Sequence, residues 1–391
     1  MSQPMPIARV LRRPVANSES LESSSLVVGA LVFVVSTCVA AFTFWGSGDV
    51  PISGPGSVGQ FAALGSALAA IVVFVAARVL LGARGSADGG VWHALDSPGV
   101  RLHWFDIAAL AVAHAVIALL GWLAIASLLE RSFTGAVVYS LAAALLSGVA
   151  IAVTAYVVAL SAVRLTPMLF SLILAVFLVV GVFASMLSAT DPFWWQKNLS
   201  TLGISDDVSA LAFNITLIVA GVIITTIAHY ATAPIPVATE RDARGRSLVR
   251  LALVAMGILL ACVGIFPVDR FLAAHNLAAS GMALVFVGLV IGLRRAIPAM
   301  PRVFILLGYV FVGVIVVLAV FFVNGYYNLT AVELVAFLLI FGWLIVFLRN
   351  TGAMANRGEH VPVSAGSDVR GSGLAAGEGV VPSDESPHAA V

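Results

Sequence analysis

The chain has 391 residues, 61% of them hydrophobic and 10% charged, with a net charge of +1. A soluble domain carries about 25% charged residues and needs a polar skin, so this composition argues against a soluble enzyme, a disordered chain or a secreted disulfide scaffold. The near-zero charge offers no basic surface for nucleic acid, and the class that remains is an all-α, polytopic membrane protein.

Residues 1–25 are polar and hold Arg9, Arg12 and Arg13. They have too little to bury and read as a disordered tail. A helix needs about 20 apolar residues to cross a bilayer. The first such run, Leu26–Trp45, exceeds the apolar core of a signal peptide and reads as an uncleaved anchor. Nine more follow: Val58–Leu81, Phe105–Leu129, Ala136–Val163, Met168–Leu187, Ala210–Tyr230, Leu248–Phe266, Arg270–Leu293, Val303–Val323 and Ala331–Leu348. Between the fourth and fifth, Arg164-Leu165-Thr166-Pro167 makes a tight turn, with Thr166 placed to cap the next helix and Pro167 suited to its first turn. We divide the chain there into a four-helix part, 26–163, and a six-helix part, 168–348. Residues 349–391, rich in Gly, Ser, Ala, Asp and Glu, read as a second disordered tail.

Cationic residues gather on the cytoplasmic side of membrane proteins. With the N-terminus inside and ten crossings, all of the 20 Lys and Arg residues except Arg131, Lys197 and Arg270 fall inside. Both termini are then cytoplasmic, and the expected location is the plasma (cytoplasmic) membrane. Trp45, Trp194, Trp195, Tyr326 and Tyr327 fall at outer ends, and Trp104 and Tyr230 at inner ends, as amphipathic rings prefer. Small residues recur four apart at Gly59, Ala63 and Ala67, and at Ala144, Gly148 and Ala152; such stripes let helices approach closely, here within one molecule. Cys38 and Cys262 lie in apolar runs without a CxxC partner and read as buried, inert thiols. No metal site or cofactor is implied.

Ionisable groups inside a bilayer are costly, so each is weighed as a functional candidate. His114 is the deepest, near the middle of the third run. It is either a neutral ring bonded to a neighbouring carbonyl or hydroxyl, or a proton relay or ligand contact. Asp106 reads as an interfacial carboxylate at a helix start, Arg78 as a snorkelling side chain, and His229 as solvated. Thr330-Ala331-Val332-Glu333 has the form of a capping box. Asp206 and Asp207 precede the sixth run, where the helix dipole favours acids. Pro267 ends the seventh run, Asp269 is placed to cap the eighth, and His275 lies just inside it.

The Asn198-Leu199-Ser200-Thr201-Leu202-Gly203 segment, Ala212-Phe213-Asn214, Gly264-Ile265-Phe266-Pro267 and the downstream His275 carry a resemblance. Together they make Met168–Leu348 resemble a six-helix bacterial membrane family of unknown function. That family is related to the eukaryotic DRAM, Sfk and FGF-receptor-activating (GPI-remodelling) proteins. The resemblance implies a six-helix topology and a link to membrane lipid. It implies no defined reaction, and the first four helices fall outside it.

Three functions compete. The first is binding, remodelling or distributing envelope lipids at the outer leaflet, through a pocket formed by Asn198, Ser200, Asn214, Asp269 and His275. The second is a non-catalytic scaffold or regulator, favoured by the scarcity of buried charge and by the lack of HExxH or GxSxG. The third is a proton-coupled small-molecule transporter using His114. The expected partners are membrane lipids, other membrane proteins or a second copy of the chain, and not nucleic acid.

Overall fold

A computed structural model describes residues 18–87, 104–204 and 208–358. Asp206, Asp207 and much of the two expected tails lie outside the described residues. The described chain forms ten helices, each long and apolar enough to cross a membrane. They are α1 (Ser18–Thr43), α2 (Val58–Ala87), α3 (Trp104–Ser132), α4 (Ser140–Val163) and α5 (Pro167–Ser188). There follow α6 (Val208–Thr232), α7 (Glu240–Ile265), α8 (Leu272–Ala296), α9 (Arg302–Val323) and α10 (Leu329–Gly358). This is the all-α, ten-helix class expected from the sequence. Among the described residues the extended structure is a single antiparallel bridge, Val50 to Val138, which pins the α1–α2 and α3–α4 connections together.

Local chemistry sets the helix ends. Thr166 accepts a hydrogen bond from the Leu169 N–H at 3.2 Å, capping α5 as its position in sequence suggests. Thr239 and Asp242 form a reciprocal capping box that starts α7 well before its apolar run; each satisfies a backbone donor the helix leaves open. Helix α1 begins at Ser18 and α10 reaches Gly358, so both extend into stretches read above as tail.

Two ends of the bundle can be distinguished. One carries the long α5–α6 connection, and we call it the long-loop end. The other carries Arg164, Arg241, Arg244, Arg294, Arg295 and Arg302, and we call it the arginine-rich end. Helices pair mainly with sequence neighbours: α6 with α7, α7 with α8, α2 with α3, and α5 with α6. Helix α1 packs chiefly on α4. The Arg164 turn does not interrupt the packing, because α3 lies against both α5 and α6. The principal apolar cluster runs from Phe74 and Leu110 through Phe177 and Leu253 to Phe286, Trp343 and Phe347. Trp343 centres it, with Phe304, Phe286 and Phe347 rings at centroid distances of 4.9, 5.4 and 5.5 Å.

The small-residue stripes serve internal contacts. A Cβ on Gly148 would sit 1.9 Å from the Thr37 Oγ1 of α1, so any side chain there must displace Thr37 for these two helices to meet as closely. The cysteine expectation is corrected: Cys38 is exposed and Cys262 half-buried. Helix α1 is covered mainly by α4, and most of its circumference, Cys38 included, faces away from the protein.

Candidate functional site

The α5–α6 connection folds into two short 3-10 turns, Trp194–Gln196 and Leu199–Gly203. Leu199 and Leu202 are buried and anchor it to the principal core. At its start the Asp191 carboxylate accepts the Phe193 N–H and pairs with Lys197 at 3.3 Å. Those contacts hold the acid below the ordinary carboxylate range.

Polar straps from α6, α8 and α10 hold this loop. From α10, Asn328 donates to the Trp195 carbonyl at 3.0 Å, and Glu333 accepts the Leu199 N–H at 2.5 Å. From α6, Asn214 donates to the Gly203 carbonyl at 3.2 Å. Ser209 of α6 and Ser185 of α5 bond to each other's carbonyls. From α8, His275 bonds Ser200, and its other nitrogen bonds the Phe266 carbonyl at the end of α7, at 2.9 and 2.8 Å. Within the loop, Thr201 donates to Asn198 Oδ1 at 2.9 Å.

The capping-box reading of Glu333 is corrected here. Helix α10 starts one residue before Thr330, and its cap is Asn328, which accepts the Ala331 N–H at 3.0 Å. Thr330 is buried, and its hydroxyl has no hydrogen-bond partner. That leaves Glu333 free to serve the first N–H of a distant 3-10 turn, where a carboxylate complements open backbone donors.

Of the five residues assigned to an outer pocket, the structure joins Ser200 and His275 directly. Asn198 and Asn214 hold the two ends of the same 3-10 turn. Asp269 stands apart, 3.7 Å from Arg270, and α8 has no side-chain cap. His275 is buried, and both its ring nitrogens are taken. Its Nδ1 faces a carbonyl, which can only accept, so Nδ1 carries a proton. Within the cluster, Ser200 and His275 are bonded to each other, and Asn214 holds the loop backbone.

His114 has the same arrangement in a different setting. Its Nδ1 bonds the Leu110 carbonyl at 2.7 Å and its Nε2 bonds Ser161 of α4 at 2.8 Å. Phe74 of α2 packs on the ring at 4.9 Å. The Asp106 carboxylate is buried and accepts the Tyr230 hydroxyl of α6. Arg78 donates to the last-turn carbonyl of Ala162 at 3.2 Å.

The pair His114–Ser161 lines a groove of about 310 Å³ between α3, α4 and α5. Helices α3 and α4, although consecutive, scarcely touch along their backbones. Across the gap they meet through His114–Ser161 and through Trp122, which donates to Thr154 Oγ1 at 3.0 Å. The remaining lining is apolar, including Ile117, Ile125, Val158, Ile173 and Val176. The groove opens sideways, because Val153, Val157 and Leu172 of its lining are exposed. Its His114–Ser161 end lies near the arginine-rich end, Ser161 being two residues from the last residue of α4. Sequence reasoning singled out His114 but not Ser161, Trp122 or Thr154. Such residues in an apolar run carry no local signal until the facing helix is known.

Fold and site together define a multi-pass integral membrane protein with a lateral intramembrane groove. Comparison with known family models, curated proteins and solved structures finds no match to this chain.

Proposed function

We propose that this protein binds membrane lipid, holding a hydrocarbon chain in the α3–α4–α5 groove. The groove carries the reading. Its volume lies at the lower end of the about 300–1,000 Å³ typical of ligand pockets, and it combines an apolar wall with a few convergent polar groups. Because it opens through exposed valines and leucine in a membrane-crossing region, hydrocarbon is what it meets. The reading rests on the groove rather than on the expected outer cluster because the groove combines an apolar wall with a lateral opening.

With the arginines on the cytoplasmic side, the His114–Ser161 end of the groove lies toward the cytoplasmic leaflet. A tag inserted between Ala189 and Trp194 then reacts with an impermeant label from outside, and cytoplasmic protection of that tag overturns the orientation. The binding reading is tested with a diazirine-bearing hexadecane probe and the full chain in phosphatidylcholine vesicles. Crosslinks concentrated on Ile117–Ile125 and Val153–Val157 are expected. Uniform labelling of all exposed helix faces overturns the reading.

A further inference from the structure

The hydrogen-bond inventory of the groove limits what its ligand can be. Four lining side chains are polar: His114, Trp122, Thr154 and Ser161. The His114 Nδ1–H is donated to Leu110. No acidic side chain lines the groove to support an imidazolium, so the ring is neutral and its Nε2 is an acceptor. The Ser161 hydroxyl therefore spends its one hydrogen on His114. The Trp122 N–H goes to Thr154, and the Thr154 hydroxyl to the Ala150 carbonyl at 2.9 Å. Every side-chain donor on the wall is committed. What remains are lone pairs, on Ser161 Oγ and on Thr154 Oγ1.

An anionic headgroup needs donors or a cation, and neither Lys nor Arg lines the groove. A cationic headgroup needs a carboxylate, and that too is missing from the lining. A phosphate or carboxylate drawn into this wall would lose its hydration without replacement, which is strongly unfavourable. A hydroxyl loses far less, because its donor bonds Ser161 Oγ, whose acceptor strength rises when its own hydrogen is given to His114. The lining runs from Ser161 to Val153 on α4 and from His114 to Ile125 on α3, about 12 and 16 Å of helix rise. That shape and volume suit one chain rather than two.

We infer that the ligand is an uncharged, single-chain lipid alcohol. Its hydroxyl bonds Ser161 at the arginine-rich end, and its chain extends along α3 and α4 toward the long-loop end. This rests on the lipid-binding reading above and adds the headgroup.

The test is competition against the diazirine-hexadecane probe by 1-hexadecanol, hexadecane, hexadecanoate at pH 9 and hexadecyl phosphate. The full chain is used in phosphatidylcholine vesicles. Hexadecanol is expected to compete about 2- to 10-fold better than hexadecane, the worth of one hydrogen bond. The two anions should compete at least about 10-fold worse than hexadecanol. In Ser161→Ala the advantage of hexadecanol over hexadecane should vanish while the probe still labels the groove. If hexadecyl phosphate competes as well as hexadecanol, or Ser161→Ala keeps the alcohol preference, the inference is overturned. Should that variant fail to fold, the wild-type competition series decides alone. Groove labelling without headgroup preference overturns the alcohol and leaves the lipid-binding reading standing. Absence of groove labelling overturns both.

Discussion

The α6–α7 seam and the α3–α4 seam each join consecutive antiparallel helices, yet they are built in opposite ways. At the first, backbone meets backbone. A Cβ on Gly221 would lie 2.3 Å from the Gly257 carbonyl oxygen, and one on Gly257 would lie 2.4 Å from Thr225 Oγ1. At the second, the backbones stay apart and two side-chain pairs, His114–Ser161 and Trp122–Thr154, span the gap. Lipid tails are as apolar as leucine, so helices in a bilayer gain little from merely hiding apolar surface. They associate through close packing and interhelical hydrogen bonds. The α6–α7 seam uses the first means and leaves no room for a ligand. The α3–α4 seam relies on the second and leaves a groove.

The change that breaks this contrast most severely is Gly257→Val. The β-branched side chain meets the Gly221 carbonyl and Thr225, and neither can retreat without separating the helices. Overpacking of this kind costs about 1–3 kcal/mol or more, and the upper end applies because backbone rather than a flexible side chain is struck. A clear fall in the melting temperature of the monodisperse protein in detergent is the expected reading. An unchanged melting curve would show that the seam is not as tight as its geometry.

Glu333→Ala comes next and probes how the closed region is finished at its long-loop end. Removing the carboxylate leaves the part-buried Leu199 N–H without its partner, a loss of about 1–3 kcal/mol for an unsatisfied buried donor. The effect should concentrate in residues 194–203. Their amide exchange should accelerate while the exchange of α3 and α4 stays as in the wild type. Equal acceleration in both regions would mean that the loop is not an independent strap.

Much of this architecture is legible in the sequence, for a physical reason. A bilayer requires some 20 apolar residues per crossing, and loops collect charge, so the ten helices announce themselves without reference to one another. Thr166 is legible for the same reason, because a cap acts within three residues. What escapes is every contact between distant segments. Thr330-Ala331-Val332-Glu333 has the letters of a capping box, but Asn328 claims the helix start, and Glu333 reaches a loop that precedes it by 134 positions. Ser200 and His275 share a motif-bearing region, and the structure brings them into contact, yet nothing in their spacing shows that both nitrogens of His275 are occupied. The groove escapes altogether. Apart from His114, its wall of valine, leucine, isoleucine, alanine and glycine with single Trp, Thr and Ser residues reads in sequence like any other lipid-facing helix.

The finest test of the contrast is one substitution made on each side of it. Glycine within a helix costs about 0.5–1 kcal/mol relative to alanine, because it has more conformational freedom to lose. Where space allows, Gly→Ala recovers that amount. Gly121 lies on the groove wall, and a Cβ there would meet only Val180 Cγ1, at 3.7 Å, an ordinary contact. Gly121→Ala should therefore stabilise the protein by about 0.5–1 kcal/mol. Gly221→Ala puts the same methyl within 2.3 Å of the Gly257 carbonyl. The steric cost there exceeds the gain in helix preference, so the sign reverses. Because composition and helix propensity change identically in the two variants, only the local space differs. Opposite shifts in melting temperature, up for Gly121→Ala and down for Gly221→Ala, follow from one open and one closed seam. Shifts of the same sign would mean that the two seams are equally packed, and that the space between α3, α4 and α5 is no groove.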